Sequence, residues 1–153
     1  MPKTLFLALA AAVVSGLAIG VQSSLNSAAG KVLGATLTGL LVNFVGGIAA
    51  GLLLAVVYSR QGAALFAEFT PSRLGVLVIS GLLGIGIIAG IAYALPRVGV
   101  AAGLSSVIAG QMVVALLVDT FGLAGGPPIP LDWSRVAGLG LLALGTWAIL
   151  PKG

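Results

Sequence analysis

The sequence predicts an all-α, polytopic membrane protein, a bundle of five transmembrane helices. Of its 153 residues, 59% are hydrophobic and only 7% are charged, whereas a soluble domain carries about 25% charged residues. The mean hydropathy is +1.25. The apolar segments exceed the length of soluble core helices, and about 18 or more uncharged apolar residues indicate a membrane span. So few charges cannot cover a surface that faces water.

Five apolar segments follow one another along the chain. Each is apolar on all sides, without the alternation of polar and apolar residues that barrel strands show. Helices are therefore predicted, because a helix satisfies its own backbone hydrogen bonds within lipid. The segments form one predicted domain, residues 1–153, and cover about residues 4–29, 34–58, 73–95, 100–121 and 133–150.

Glycine, proline and aspartate mark the expected boundaries. We expect Gly30 and Lys31 to end the first helix, and Pro96 to end the third because proline cannot continue the hydrogen-bond ladder. Asp132 stands where the N-cap of the fifth helix would lie. The first segment also has the composition of a cleaved signal peptide, but its long apolar run and the equally hydrophobic residues that follow favour a retained span.

The 24 glycines predict closely packed helices, because small residues let the backbones of membrane helices approach each other. The four-residue spacing that places two glycines on one helix face recurs four times, at Gly16/Gly20, Gly47/Gly51, Gly86/Gly90 and Gly99/Gly103. The simplest interpretation is packing within the chain, although the spacing does not identify the partner of each pair.

The residue types that are missing exclude several classes of function. The chain has no histidine and no cysteine, so no metal site, cofactor or nucleophile–base pair is predicted, and the protein is not expected to be an enzyme. The seven basic residues stand singly between apolar runs or near the ends of the sequence. Nucleic-acid binding is not expected, because it requires a clustered basic face.

The basic residues barely choose an orientation in the membrane. With five spans, four lie on one side (Lys3, Arg60, Arg73, Arg135) and three on the other (Lys31, Arg97, Lys152). Cytoplasmic loops normally hold a clear excess of lysine and arginine. The near balance fits dual topology, in which two copies insert in opposite directions and pair. It fits equally well a small protein whose orientation in the membrane is set by its partners.

Polar side chains within the apolar segments are the candidate binding residues. A polar group inside the membrane is costly and faces the bundle or a cavity. Each amide could instead join two helices, a contribution of roughly 0.6 kcal/mol. Their recurrence on several helices at similar depth favours a polar cavity between helices one to four. The predicted substrate-binding residues are Gln22, Asn26, Asn43, Tyr93, Ser105 and Gln111.

Asp119, at the end of the fourth segment, is the candidate for proton or ion coupling. The other two carboxylates, Glu68 and Asp132, fall in connectors. Proton-coupled carriers usually place an acid or a histidine on the transport path. A residue at a helix end at the membrane interface is the alternative interpretation of Asp119.

Six short motifs stand in order along the chain: QSSLN (22–26), NFVGG (43–47), LPRVG (95–99), AGQ (109–111), DTFGL (119–123) and RVAG (135–138). Together they resemble the YdcZ-type family, a five-helix branch of the drug/metabolite transporter superfamily, over about residues 4–150. Two positions depart from the family pattern. Asn43 stands where serine is more usual, and Thr120 where a histidine often follows the aspartate, which argues against an Asp–His proton pair here.

The resemblance implies a dimeric transporter of small organic molecules in the bacterial inner membrane. Larger members of the superfamily have ten helices in two inverted halves, so a five-helix chain resembles one half. The implied partners are membrane lipid, a small-molecule substrate, and a second copy or a related chain. Two other functions stay open: a non-transporting membrane subunit or assembly partner, and a lipid-handling protein.

Overall fold

The computed structural model describes residues 3–59 and 70–151, and the elements in these ranges are helices. Four of them are long and apolar enough to cross a membrane, and the fifth, with 17 residues, reaches the lower end of the range of roughly 17–25. The prediction of an all-helical polytopic membrane protein is confirmed. Three of the charged residues named above lie outside the described residues: Arg60, Glu68 and Lys152. The helices are α1 (Lys3–Leu33), α2 (Ala35–Tyr58), α3 (Pro71–Val98), α4 (Val100–Phe121) and α5 (Trp133–Ile149).

Two expected helix ends were wrong. α1 continues beyond Gly30 to Leu33, and α3 runs through Pro96 to Val98. A proline inside a helix leaves the carbonyl four residues earlier, here that of Ala92, without its usual donor. That carbonyl lies against α1, since a Cβ built on Gly30 would be 2.6 Å from its oxygen. Membrane helices tolerate proline where a neighbouring helix covers the freed backbone group.

A single glycine joins α1 to α2, and another joins α3 to α4. Gly34 has φ 81° and ψ 156°, and Gly99 has φ 86° and ψ 153°, a backbone conformation essentially limited to glycine. In both corners the glycine N–H donates to the carbonyl four residues earlier, that of Gly30 or Leu95, at 3.0 Å. The two corners therefore share one geometry, although the sequence shows no convincing repeat.

The chain divides into two compact units, residues 22–93 and residues 1–21 together with 94–153. In the first unit, α3 contacts a glycine of α2. A Cβ built on Gly39 would be 2.9 Å both from the carbonyl oxygen of Ile85 and from the Cβ of Ala89. The two helices therefore meet backbone to backbone. Among the described side chains buried in this unit, four are polar (Ser23, Asn26, Ser27 and Thr38) and two are apolar (Ile91 and Ala92).

In the second unit, α4 packs against α5. The Thr146 hydroxyl donates to the Ser105 carbonyl at 3.3 Å. The side chain of Leu95 covers Gly103, where a built Cβ would be 2.6 Å from the Leu95 Cδ1. These contacts bring the end of α3 and the length of α5 onto α4.

The connection between α4 and α5 has well-defined ends. Gly122, at φ 64°, is the C-cap of α4, and the N–H groups of Gly122 and Leu123 donate to carbonyls of the last turn, as in a Schellman motif. At the other end, the Asp132 carboxylate accepts a hydrogen bond of 2.8 Å from the Arg135 N–H. The expected N-cap at Asp132 is confirmed.

Among the described residues, most glycine pairs with four-residue spacing have no close neighbour at the position of a Cβ, contrary to the interpretation of packing within the chain. In the fourth pair, Gly99 forms a corner and Gly103 contacts Leu95. The packing glycines Gly30 and Gly39 lie on different helices, a relation that spacing within one helix cannot reveal. A built Cβ would meet no described atom within 4 Å at the other six positions: Gly16, Gly20, Gly47, Gly51, Gly86 and Gly90.

Substitution of either corner glycine tests the corner conformation. Gly34→Ala and Gly99→Ala should each lower the free energy of unfolding by about 1–3 kcal/mol, because alanine is strained at this φ and ψ. Space is not limiting, since a Cβ would meet no described atom within 4 Å at either position. Reversible denaturation in detergent micelles measures the change. Gly81→Ala is the matched control, equally open but helical, and should be neutral or stabilising by up to about 1 kcal/mol.

Gly39→Ala tests the backbone contact between α2 and α3. The added methyl must displace the α3 backbone near Ile85, and overpacking of this kind typically costs about 1–3 kcal/mol. The same denaturation measurement applies. Gly47→Ala, on the same helix but open, is the control. Equal stability of the two variants would contradict the close approach at Gly39.

Candidate functional site

The predicted binding residues are divided between the two units. Gln22, Asn26, Asn43 and Tyr93 lie within residues 22–93, whereas Ser105 and Gln111 lie in the unit that contains α4 and α5. Their role in substrate binding stays a prediction. Their surroundings differ in a way that sequence could not show.

Asn26 belongs to a buried polar face of α1. It is 5% exposed, and Ser23 and Ser27, on the same helix face, are buried with it. Every buried side-chain nitrogen and oxygen of the described residues has a hydrogen-bond partner. Polar groups on this face are therefore satisfied in this conformation, and a solute has no direct access to Asn26.

Asn43 is part of the contact between α2 and α3. Its Nδ2 donates to the Gly39 carbonyl at 2.9 Å, and a Cβ built on Gly84 of α3 would be 3.1 Å from its Oδ1. The side chain is half-buried. The Asn43 side chain thus bonds to a carbonyl of its own helix through Nδ2 and lies against α3 through Oδ1.

Ser105 also bonds to its own helix. Its hydroxyl donates to the Ala101 carbonyl at 2.9 Å, and the neighbouring Ser106 makes the same bond to Ala102 at 2.9 Å. Serine in a helix commonly satisfies its hydroxyl in this way without needing another partner. The hydroxyl of Ser105 is therefore less available to a solute than an amide would be.

Gln22 and Gln111 have exposed side chains, and Tyr93 is 57% exposed. Gln111 lies midway along α4, and Gln22 lies in the second half of α1. Both helices are apolar enough to span the membrane. An amide that faced hydrocarbon there would lose its hydrogen bonds to water at a cost of several kcal/mol. Each therefore needs a polar partner outside its own helix.

Asp119 forms an ion pair at the end of α4. Its Oδ2 lies 3.3 Å from Nη1 of Arg135 in the first turn of α5, and the two side chains are 47% and 28% exposed respectively. The Asp119 carbonyl accepts from Gly122 and Ile129, which folds the connection back onto α4. Arg135 was not among the predicted site residues. The helical hairpin brings Asp119 and Arg135 together, and the sequence motifs that contain them do not indicate that the two side chains form an ion pair.

Two grooves run along the pair formed by α4 and α5. Apart from the ion pair in the larger one, their walls are almost entirely apolar, so sequence reasoning did not mark them. The larger, about 370 Å³, is lined by Met112, Ala115, Leu116, Asp119, Arg135, Gly138, Leu139 and Leu142. The smaller, about 280 Å³, is lined by Val113, Leu116, Leu117, Thr120, Phe121, Leu131, Val136 and Leu139.

Comparison with known proteins agrees with this architecture. The family described as "Putative inner membrane exporter, YdcZ" matches residues 7–148. The inner membrane protein YdcZ of Escherichia coli (strain K12) is 27% identical over 146 residues, which cover 95% of this chain and 96% of the relative. No solved structure matches the chain significantly. Because the family match spans most of the chain, this protein belongs to the YdcZ family of transporters and is an integral protein of the inner membrane.

Proposed function

We propose that this protein exports small organic metabolites as a dimer, along a polar route formed by helices α1 to α4. Membership of an exporter family supports transport in general. The observation that carries the more specific proposal is the exposure of two amides, Gln22 and Gln111, on helices that are otherwise apolar. An amide so placed requires water, a solute or a second copy as its partner.

The side chains of the route suit solutes that hydrogen-bond without needing a counter-ion. The six proposed contacts are amides, a phenol and a hydroxyl, and none carries a charge. Neutral, zwitterionic or amphipathic metabolites fit such a route better than a cation that requires a buried carboxylate. Tyr93, exposed near the end of α3, would close the route at one end.

Asn26, Asn43 and Ser105 would join the route only when the helices move. In the present conformation Asn26 is buried, and the other two bond to carbonyls of their own helices. Alternating access requires such a change in what faces the substrate. Asp119 is the proposed coupling residue, and its exposed ion pair with Arg135, worth at most about 1 kcal/mol, could open at little cost.

The open glycines support a dimer. Gly47 and Gly51 have no described neighbour within 4 Å of a built Cβ, and small residues at this spacing let a second helix approach closely. The nearly balanced basic residues favour an antiparallel pair, which would reproduce with two copies the inverted halves of larger transporters. A related chain could replace the second copy.

Loss of either exposed amide should slow transport. A thermal-shift screen on the purified protein first identifies a solute, because a ligand stabilises the state that binds it. In proteoliposomes, Gln22→Ala and Gln111→Ala should each reduce the transport rate of that solute about two- to tenfold, as expected for one lost hydrogen bond. Ser106→Ala is the control, because its hydroxyl is bonded within α4. Normal transport by both glutamine variants would refute the proposed route.

Dual topology can be tested with one engineered cysteine, since the chain has none of its own. Ala124→Cys places a thiol in the connection between α4 and α5. A membrane-impermeant maleimide should label about half of the protein in right-side-out vesicles and the other half in inverted vesicles, as equal insertion in both directions requires. Ala49→Cys, within α2, should stay unlabelled. Labelling of Ala124→Cys from one side alone would rule out the antiparallel homodimer.

A further inference from the structure

The larger groove between α4 and α5 combines an apolar wall with charge at one end. Asp119 and Arg135 lie at the end near the connection, and the remaining lining side chains, such as Met112 and Leu142, are apolar. Its volume of about 370 Å³ is in the range of small-molecule sites, roughly 300–1,000 Å³. The groove follows α5 from Arg135 to Leu142, roughly 10 Å at 1.5 Å per residue. This shape suits a molecule with a polar head and a chain.

The smaller groove offers an internal comparison. It shares Leu116 and Leu139 with the larger groove, and its lining includes Thr120 but no ionisable side chain. Two grooves on one helix pair thus differ mainly in charge. Any membrane lipid could cover the smaller groove, whereas the larger one can select among headgroups.

The charges of the larger groove call for an occupant with both signs. Asp119 accepts one bond of 3.3 Å from Arg135, and a carboxylate and a guanidinium each have capacity for several more. Asp132, the N-cap beside Arg135, adds a second negative charge at this end. A purely anionic head would be repelled by the two carboxylates, and a purely cationic one would give Arg135 no further acceptor. A head that carries an ammonium and a phosphate complements the site.

We propose that the larger groove binds one molecule of phosphatidylethanolamine. The ammonium of the lipid would donate to the Asp119 carboxylate. The phosphate would accept from Arg135, because a guanidinium matches the geometry of a phosphate well. An acyl chain would lie along Leu116, Leu139 and Leu142. The position of Asp119 in the last turn of α4 agrees with a headgroup bound near the membrane surface. Trp133, 83% exposed at the start of α5, is the type of residue found at headgroup level. The groove shares Asp119 with the proposed coupling step and is lined by none of the six proposed solute contacts.

The test is competition between lipids, followed by native mass spectrometry of the intact protein. With phosphatidylethanolamine and phosphatidylglycerol added in equal amounts, the wild type should retain one phosphatidylethanolamine with a preference of about tenfold, as expected for one charged hydrogen bond. Arg135→Gln should weaken retention by a similar factor. Gly138→Leu should abolish it, because the side chain would fill the groove, where a built Cβ meets no described atom within 4 Å.

Gly140→Leu is the matched control, an equally open glycine of α5 that lines neither groove, and it should retain the lipid as the wild type does. Retention by Gly138→Leu at the wild-type level, or equal binding of phosphatidylglycerol, would overturn the proposal. Since lipid retention is measured without a solute, failure of the transport proposal leaves this test intact.

Discussion

The unit formed by residues 22–93 depends on the close approach of α1 and α2 to the backbone of α3. Lipid tails are as apolar as leucine, so helices in a membrane gain little by burying apolar surface and associate through van der Waals packing and short polar contacts. Such contacts need the absence of a Cβ at Gly30 and Gly39, where a built Cβ would lie 2.6 and 2.9 Å from α3 carbonyl oxygens. At Gly30 the contact has a further role, because Pro96 leaves the Ala92 carbonyl without its helical donor. A proline in one helix is thus accommodated by a glycine in another.

The same constraint sorts the polar residues. Thr38, Asn43 and Ser105 each donate a side-chain hydrogen bond to a carbonyl of their own helix. Polar residues bonded in this way are tolerated within apolar surroundings at little cost. Gln22 and Gln111 have exposed amides, which makes them the more informative positions for function. A list of polar residues treats all of these alike. Their hydrogen-bond geometry separates those that serve the fold from those that need an external partner.

Sequence predicted some features of the site and missed others for identifiable reasons. The cap at Asp132 was found because N-capping depends on a few neighbouring residues. The ion pair of Asp119 with Arg135 was missed because it depends on the hairpin between α4 and α5, which places residues far apart in sequence side by side. The glycine pairs were misjudged because four-residue spacing shows which glycines share a helix face and says nothing about what lies opposite. The grooves along α4 and α5 were missed because apolar residues on a membrane helix look alike whether they face lipid or a groove.

Composition and local pattern by themselves determined that this chain is a polytopic membrane protein of about five helices, because the bilayer sets the length and hydropathy of whatever crosses it. They also determined which polar residues lie within the spans and, through ordered motifs, the family. Only the tertiary structure decided that α3 continues through Pro96, that single glycines turn the chain at Gly34 and Gly99, and that Asn26 is buried while Gln111 is exposed. Each of these features depends on which helices are neighbours. In a chain so uniformly apolar, neighbouring helices meet largely through glycine and backbone atoms, and the presence of a glycine in the sequence says little about which helix it contacts.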